Sequence, residues 1–474
     1  MVNMLVNYYY SNYGIKCHYI RLAVVFSLLL GGSLRAGDDR FGICTGFGRT
    51  TQTKDPVVLM PLISGTGAGW IRDGFTVIEV DPTFGGNVST FSFPTRDYNW
   101  ITLAGQYDLK VCLLLDGCKG ASEMATVCGW VAAYIAVHPD LSAVKAIEVL
   151  NEPNTSMQAY FGGSNYYALP IPAWQEQYRE MLNQTALAVK AANPDLEVIG
   201  CGSSMPSTYC EIQAGLDPAV DGITDHPYPI KNGQGVQIEF VGYDSTTVGR
   251  DGIATTDAAG SFSSEVDMLR AWALKYGPAK QLWHTEWGVN TNTDPNHQWQ
   301  NTGADQGVWY MRRLTESLAK GVEHTFLYIL SDEAFNPLSS YDNYGLLAAD
   351  LSKKVSYYYV GRVINLLAGF SPSQYSPSVN PQPTATFRAY GFDSADASSS
   401  IVAYWTGGWY SDNGVSQPVS ITFHHPGARR VRVYDPISNT SVRAKWVQSG
   451  SNVVVSGPEV SIGSVPNYIT IDSN

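Results

Sequence analysis

Long apolar runs are scarce in this sequence. The one near the start, Leu22–Leu30, is nine residues, well short of the roughly 20 that carry a helix across a bilayer. Positive charge is also in deficit. There are 30 Lys and Arg against 42 Asp and Glu, the net charge is −12, and no basic patch stands out, so a nucleic-acid footprint is not expected. Charged residues make up only 15% of the chain against 44% hydrophobic, which excludes a disordered, self-repelling polypeptide and leaves enough apolar surface for a large core. No cysteine or histidine spacing matches a zinc site, and no Gly-x-Ser-x-Gly elbow is present. The glycine-rich stretch Gly65-Thr66-Gly67-Ala68-Gly69 precedes a strand-like run instead of following one, so it lacks the context of a dinucleotide loop. No internal repeat is visible. Neither a metal nor an organic cofactor is expected.

What is present begins with export. Lys16, His18 and Arg21 precede the apolar run, and Gly31-Gly32-Ser33-Leu34-Arg35-Ala36 follows it with small residues suited to cleavage. Residues 1–36 therefore have the pattern of a signal peptide, the mature chain is expected to be secreted or periplasmic, and no membrane span is expected to survive cleavage. Cys17 would leave with the signal, and six cysteines would remain. Cys118 with Cys128 and Cys201 with Cys210 are spaced for local bridges, while Cys44 and Cys112 fall inside strand-like runs and suit core thiols. Asn87, Asn154, Asn183 and Asn439 head glycosylation-type triplets.

From residue 37 to about 370 the chain alternates strand-like and helix-like segments. Eight strand-like runs are read at Phe41–Gly48, Gly69–Phe75, Lys110–Gly117, Val144–Asn151, Glu197–Gly202, Gly222–His226, Gln281–Glu286 and Glu323–Ser331. Helical spacing is clearest at Ala173–Asn193, Ser263–Tyr276, Gln306–Lys320 and Lys353–Leu367. Eight alternations with apolar, non-alternating strands predict an α/β protein built on a closed parallel (β/α)₈ TIM barrel. Residues 371–383 are rich in Pro and Ser and read as a linker. Residues 384–474 carry short alternating runs separated by turns, the pattern of a small β-sandwich accessory domain.

Two glutamates concentrate the chemistry. Glu152 follows the run Ala146-Ile147-Glu148-Val149-Leu150-Asn151, and Glu286 ends Gln281-Leu282-Trp283-His284-Thr285. A carboxylate at the end of a buried strand is costly to desolvate unless it is paired or used. In a barrel, the C-terminal ends of different strands converge on one pocket. Their neighbours have the matching chemistry. Arg72 on the second strand is placed to hold a carboxylate ionised. Asn151 offers an amide to a sugar hydroxyl, and Pro153 restricts where Glu152 points. His226 and Tyr228 end the sixth strand as hydrogen-bonding partners for Glu286 or substrate. Trp287 and Tyr328 offer flat rings to a sugar face. A metal site built from His226, His284 and Glu286 matches no metalloprotease spacing.

The stretches Leu150-Asn151-Glu152-Pro153-Asn154, Asp221-Gly222-Ile223-Thr224-Asp225-His226-Pro227-Tyr228 and Thr285-Glu286-Trp287-Gly288 resemble those of the retaining glycoside hydrolases of the (β/α)₈-barrel clan A, nearest to family 39-like enzymes. Leu150 and Tyr328 stand where relatives often carry Trp, and Arg72 resembles the strand-two Arg of the cellulase-like members. The resemblance covers about residues 41–370. It implies a carbohydrate substrate, Glu152 as acid/base, Glu286 as nucleophile, and Arg72, Asn151, His226, Tyr228, Trp287 and Tyr328 as substrate-binding residues. It implies double displacement at a β-glycosidic bond of a polysaccharide or oligosaccharide. A non-catalytic carbohydrate-binding barrel and a transglycosylase are the alternatives that the same residues allow.

Overall fold

The computed structural model describes residues 37–47, 54–76, 91–117, 120–162, 172–202, 205–232, 235–241, 253, 257, 260–292, 301–334, 338, 342–381, 387–407 and 417–473. The expected signal peptide, Cys17, Cys118 and Asn87 lie outside the described residues.

Eight parallel strands close into a barrel: β1 (Asp38–Cys44), β2 (Ala68–Thr76), β3 (Lys110–Asp116), β4 (Val144–Val149), β5 (Glu197–Gly200), β6 (Gly222–Asp225), β7 (Gln281–Trp287) and β8 (His324–Leu327). Each strand pairs with its neighbours in the sequence, and β8 closes onto β1 through Phe41–Thr325 and Ile43–Leu327. The expected (β/α)₈ barrel is therefore observed. Its strands read as continuous apolar runs because helices cover them outside while side chains fill the inside. The lower interior is packed by Trp70, Trp283 and Phe326, with Cys44, Cys112, Ala146 and Ile199 around them. Trp70 meets Trp283 edge-on at 5.3 Å. A Cβ on Gly42 would lie 2.3 Å from the Phe326 ring, so the strand carries glycine where that ring crosses the barrel.

The outer helices follow from 3.6-residue spacing. In Ala173–Ala192 the buried face is Trp174, Tyr178, Met181, Leu182, Thr185, Ala186 and Val189. Tyr178 also donates its hydroxyl to Val149 O and accepts from Cys201 N–H, both at 2.8 Å. That links the ends of β4 and β5, directly below the segment that carries Glu152. Among the described residues no helix is long and apolar enough to cross a membrane. Cys44 and Cys112 are buried thiols as expected. Cys201 is a free buried thiol, so the local bridge to Cys210 is not formed.

The C-terminal region is an antiparallel sandwich. One sheet orders Phe370–Pro372, Phe387–Ser394, Ser399–Thr406, Asn467–Asp472, Arg430–Asp435 and Thr440–Arg443; the other orders Ser378–Asn380, Ser420–His424, Asn452–Ser456 and Lys445–Ser449. Two short strands thus fall in or at the edge of the Pro/Ser-rich stretch. Phe370–Pro372 and Ser378–Asn380 pair with Phe392–Ser394 and Ser420–Thr422, which ties that stretch into both sheets.

Strand Ser399–Thr406 shows why its sequence is apolar on both faces. Val402 and Tyr404 enter the sandwich core, while Ile401, Ala403 and Trp405 join the barrel core. The barrel side of this contact is the helix Gly303–Ala319, buried along nearly its whole length. Its fully buried Arg312 reaches Glu239 at 3.2 Å, Ser464 O at 2.8 Å and Thr406 O at 3.1 Å. Trp405 Nε1 donates to the same Glu239 oxygen at 2.9 Å.

Removing one partner of a buried pair leaves a lone charge, a loss of about 3–5 kcal/mol. Arg312→Ala is expected to lower unfolding stability by that much in urea titration. The double variant Arg312→Met with Glu239→Gln is expected to lose less, because no uncompensated charge stays buried.

Candidate active site

The site is built on inward-facing positions of β2, β4, β6 and β7 at the C-terminal mouth of the barrel. On β2, Trp70 and Arg72 both point inward, Trp70 into the packed floor and Arg72 just above it. Arg72 is 5% exposed. Its Nε donates to Glu148 Oε2 at 2.5 Å, Nη1 to Glu286 Oε2 at 3.0 Å, and Nη2 to Asn151 Oδ1 at 2.9 Å. One guanidinium thus uses its rigid fork to hold three side chains from two other strands. Burial works against the charge on Arg72, but Glu148 and then Cys44 and Glu286 outweigh it and keep its pKa well above the ordinary value.

Glu286 reaches the pocket through an irregularity in β7. Thr325 and Leu327 of β8 pair with His284 and Trp287 of β7, so β7 carries one extra residue across that interval. Such a bulge re-aims side chains. It lets Thr285 and Glu286 both face inward: Thr285 donates to Glu148 Oε1 at 2.8 Å, and Glu286 takes Arg72 on one oxygen and the Tyr228 hydroxyl on the other at 2.7 Å. Burial, and next the charge of Glu286, push the Tyr228 phenol well above its usual range, so it stays a donor.

The turn after β4 is equally specific. Leu150 (φ 62°) and Glu152 (φ 43°) occupy the left-handed region, where a non-glycine residue is strained by about 1–2 kcal/mol. Leu150 N–H bonds to Leu115 O at 2.9 Å and Glu152 N–H to Gly202 O at 3.1 Å, which holds the strained turn in place. Pro153 then opens the helix Pro153–Phe161, a position where its missing N–H is no loss. The turn sends Leu150 into the core and Glu152 over the pocket, where its side chain is one-third exposed.

His226 stands between the two acids. Its Nδ1 lies 3.0 Å from Glu152 Oε1. Burial alone would lower its pKa, but the charge of Glu286 and the hydrogen bond to Glu152 outweigh this and raise it above 6.5. One atom from each of Glu152, His226 and Glu286 lies within 4.8 Å of the other two. Donor atoms this close could gather a cation, but the Arg72 guanidinium at 3.0 Å from Glu286 supplies the positive charge there and opposes one. His284 is elsewhere: it is fully buried behind β7, with its ring 5.2 Å from Phe262.

Six of the eight residues singled out in the sequence therefore converge: Arg72, Asn151, Glu152, His226, Tyr228 and Glu286. Tyr328 lies beside them at one remove. Its ring meets Tyr344 at 5.7 Å, and Tyr344 meets Tyr228 at 6.1 Å, which makes a wall of three tyrosines. Trp287 does not converge. It is 0% exposed, donates Nε1 to Thr325 Oγ1 at 2.7 Å, and packs against Tyr310 and Arg313. As the first residue past the bulge it points away from the pocket, so its assignment to the substrate is corrected to core packing. A Cβ on Gly288 would lie 2.2 Å from Tyr328 O, so the chain must be glycine where it passes β8.

Three further side chains contribute: Glu148, Thr285 and Tyr344. Glu148 interrupts an apolar strand at an inward position, a signal visible in the sequence. Thr285 is placed by the bulge, and Tyr344 comes from a loop without a distinctive pattern.

No family model matches the sequence, and no curated protein matches it. Solved structures do match. A family 39 glycoside hydrolase from Bacteroides cellulosilyticus superposes with a TM-score of 0.65 at 18% identity, over 92% of this chain and 81% of that one. A glucosidase from Croceicoccus marinus gives 0.56 at 14% identity, over 92% and 96%. An α-L-arabinofuranosidase from Thermotoga maritima gives 0.55 at 13% identity, again over 92% and 96%. The chain has the fold of glycoside hydrolases. In that fold, the C-terminal mouth where Glu152 and Glu286 meet is where barrel enzymes carry their active sites.

A histidine whose folded-state pKa is raised adds stability below its ordinary value, and that contribution fades as pH rises through the raised one. The stability deficit of His226→Asn is therefore expected to be largest below about pH 6.5 and to shrink at higher pH. Denaturant titrations of both proteins across that range check this. A deficit that grows with pH contradicts it.

Proposed function

We propose that the protein is an exported retaining glycoside hydrolase that cleaves β-glycosidic bonds in a polysaccharide or oligosaccharide. The observation that carries this is the approach of a Glu152 oxygen to within 4.8 Å of a Glu286 oxygen. Retaining enzymes keep their carboxyl groups roughly 5–5.5 Å apart, whereas inverting enzymes leave room for a water at roughly 6.5–9.5 Å.

Each side chain has a role that its contacts support. Glu286, ionised beside Arg72 and oriented by Tyr228, attacks the anomeric carbon. The bond from that carbon to the leaving oxygen breaks, and the leaving oxygen takes the proton of Glu152. The negative charge thereby moves from Glu286 to Glu152. Glu152 then takes a proton from water as the water attacks the anomeric carbon, the ester bond to Glu286 breaks, and both carboxyl groups return to their first state. Two displacements at one carbon restore its configuration. Asn151 and His226 orient the sugar and Glu152, and Tyr328 floors a subsite.

In this reading residues 1–36 are the signal peptide, 37–370 the catalytic barrel, 371–383 the connection and 384–474 the accessory sandwich. The sandwich buttresses the barrel. Arg313 Nη1 bonds Pro227 O at 2.9 Å, between His226 and Tyr228, and Arg313 sits on the helix that the sandwich covers.

A screen of chromogenic glycosides and of plant, fungal and bacterial polysaccharides, with NMR of the first-formed anomer, is expected to give hydrolysis with retention. Glu286→Ala is expected to remove nearly all activity. Glu152→Ala is expected to lose about 10²–10⁴-fold, the worth of a general acid/base. It should still release a burst from substrates with good leaving groups. An inverted product, or near-normal rates in either variant, rejects the assignment.

A further inference from the structure

We propose that Glu148 is the standing counter-ion of Arg72 and thereby sets the charge that Glu286 feels, acting as a positioning residue for the nucleophile. The inference rests on Glu286 being that nucleophile.

Glu148 is 0% exposed, on β4 inside the barrel. It grips both supports of Glu286. Its Oε2 takes Arg72 Nε at 2.5 Å, and its Oε1 takes the hydroxyl of Thr285, the residue before Glu286, at 2.8 Å. Arg72 lies closer to Glu148 than to Glu286, which it meets at 3.0 Å. The guanidinium is thus shared between two carboxylates, and Glu148 is the nearer partner.

This sharing matters when the covalent bond forms. Glu286 gives up its charge to the ester, and the charge reappears on Glu152, whereas the hydrogen bonds of Arg72 run to Glu148, Glu286 and Asn151. With Glu148 present, Arg72 remains paired throughout. Without it, the free nucleophile would hold the whole of a buried cation, and the ester would strand that cation unpaired. Both effects oppose the first displacement, since an uncompensated buried charge is strongly unfavourable. Both assist the second, in which Glu286 regains its charge.

Among the described residues, the groups around Glu286 that titrate or carry charge include Arg72 from β2, Glu148 and Glu152 on and just past β4, His226 and Tyr228 after β6 with Tyr344 beside Tyr228, and Cys44 from β1, whose thiol burial pushes up to about 12. Among them Glu148 is the deepest carboxylate.

The test uses the full mature chain of wild type, Glu148→Gln and Glu148→Asp, each checked for folding by thermal melt, with an aryl glycoside that the wild type cleaves. For Glu148→Gln, kcat/KM is expected to fall by about 10–100-fold, the pre-steady-state burst to vanish as the first displacement becomes slow, and the acidic limb of the kcat/KM profile to move to lower pH. That direction follows because removing a negative charge makes Glu286 easier to ionise. Glu148→Asp keeps the charge and is expected to restore the wild-type acidic limb, with kcat/KM within about tenfold. A purely structural role lowers both displacements together and leaves the limb in place. A folded Glu148→Gln with an unmoved limb and an intact burst overturns the inference. So does a shifted limb in Glu148→Asp, which decides the matter alone if the Gln variant does not fold. Failure of the functional reading looks different: the wild type itself would cleave no glycoside, or would keep its activity in Glu286→Ala.

Discussion

A single buried guanidinium organises this molecule. Arg72 sits just above the packed floor of the barrel and ties β2 to β4 and β7 through Glu148, Asn151 and Glu286. An isolated cation at that depth would be expelled or neutralised. It persists because two carboxylates and an amide satisfy its fork, and each of them in turn needs the cation. The barrel supplies the positions. Below the cation, Trp70, Trp283 and Phe326 exclude water, so the ionic contacts above them operate in a poorly screened environment where small displacements change energies strongly.

Precision at the two acids comes from departures from regular structure. Regular β alternation would keep Thr285 and Glu286 on opposite faces, and the extra residue in β7 brings them to the same side. A regular continuation of β4 would carry Leu150 inward. Positive φ at Leu150 and Glu152 turns Leu150 away from the barrel interior into the surrounding core under the helices and lifts the carboxylate over the mouth. Both irregularities are braced, one by the Thr285–Glu148 hydrogen bond and the other by backbone bonds to Leu115 and Gly202. The sandwich extends the bracing outward. Its sheet covers the helix Gly303–Ala319 through Trp405 and Tyr468, and on that helix Arg313 holds the backbone between His226 and Tyr228.

Much of the fold was legible beforehand for a physical reason. Parallel strands buried on both faces leave unbroken apolar runs, and covering helices leave 3.6-residue stripes. Eight such alternations admit few architectures. The site was legible where a carboxylate or guanidinium sat against an apolar run, as at Arg72, Glu152 and Glu286, because desolvating a charge is too unfavourable to be incidental. It was illegible where the signal was purely geometric. Trp287 has the residue type of a sugar platform, and only the bulge before it shows that it faces the helices. Tyr344 is an ordinary loop tyrosine until the chain brings it beside Tyr228. The bridge expected between Cys201 and Cys210 had sequence spacing in its favour, yet Cys201 carries a buried free thiol.

By itself the order of residues determined the barrel, the sandwich and the chemical character of the pocket, because hydrophobic periodicity and the cost of burying charge are local properties of a chain. The partnerships were decided only in three dimensions. That Glu148 shares Arg72 with Glu286, and that Glu152 comes within reach of Glu286, depends on register and on the positive-φ turn, which relate residues 76, 214 and 134 positions apart. Side-chain distance across a closed sheet is set by how every strand packs against the next, and no local pattern encodes it.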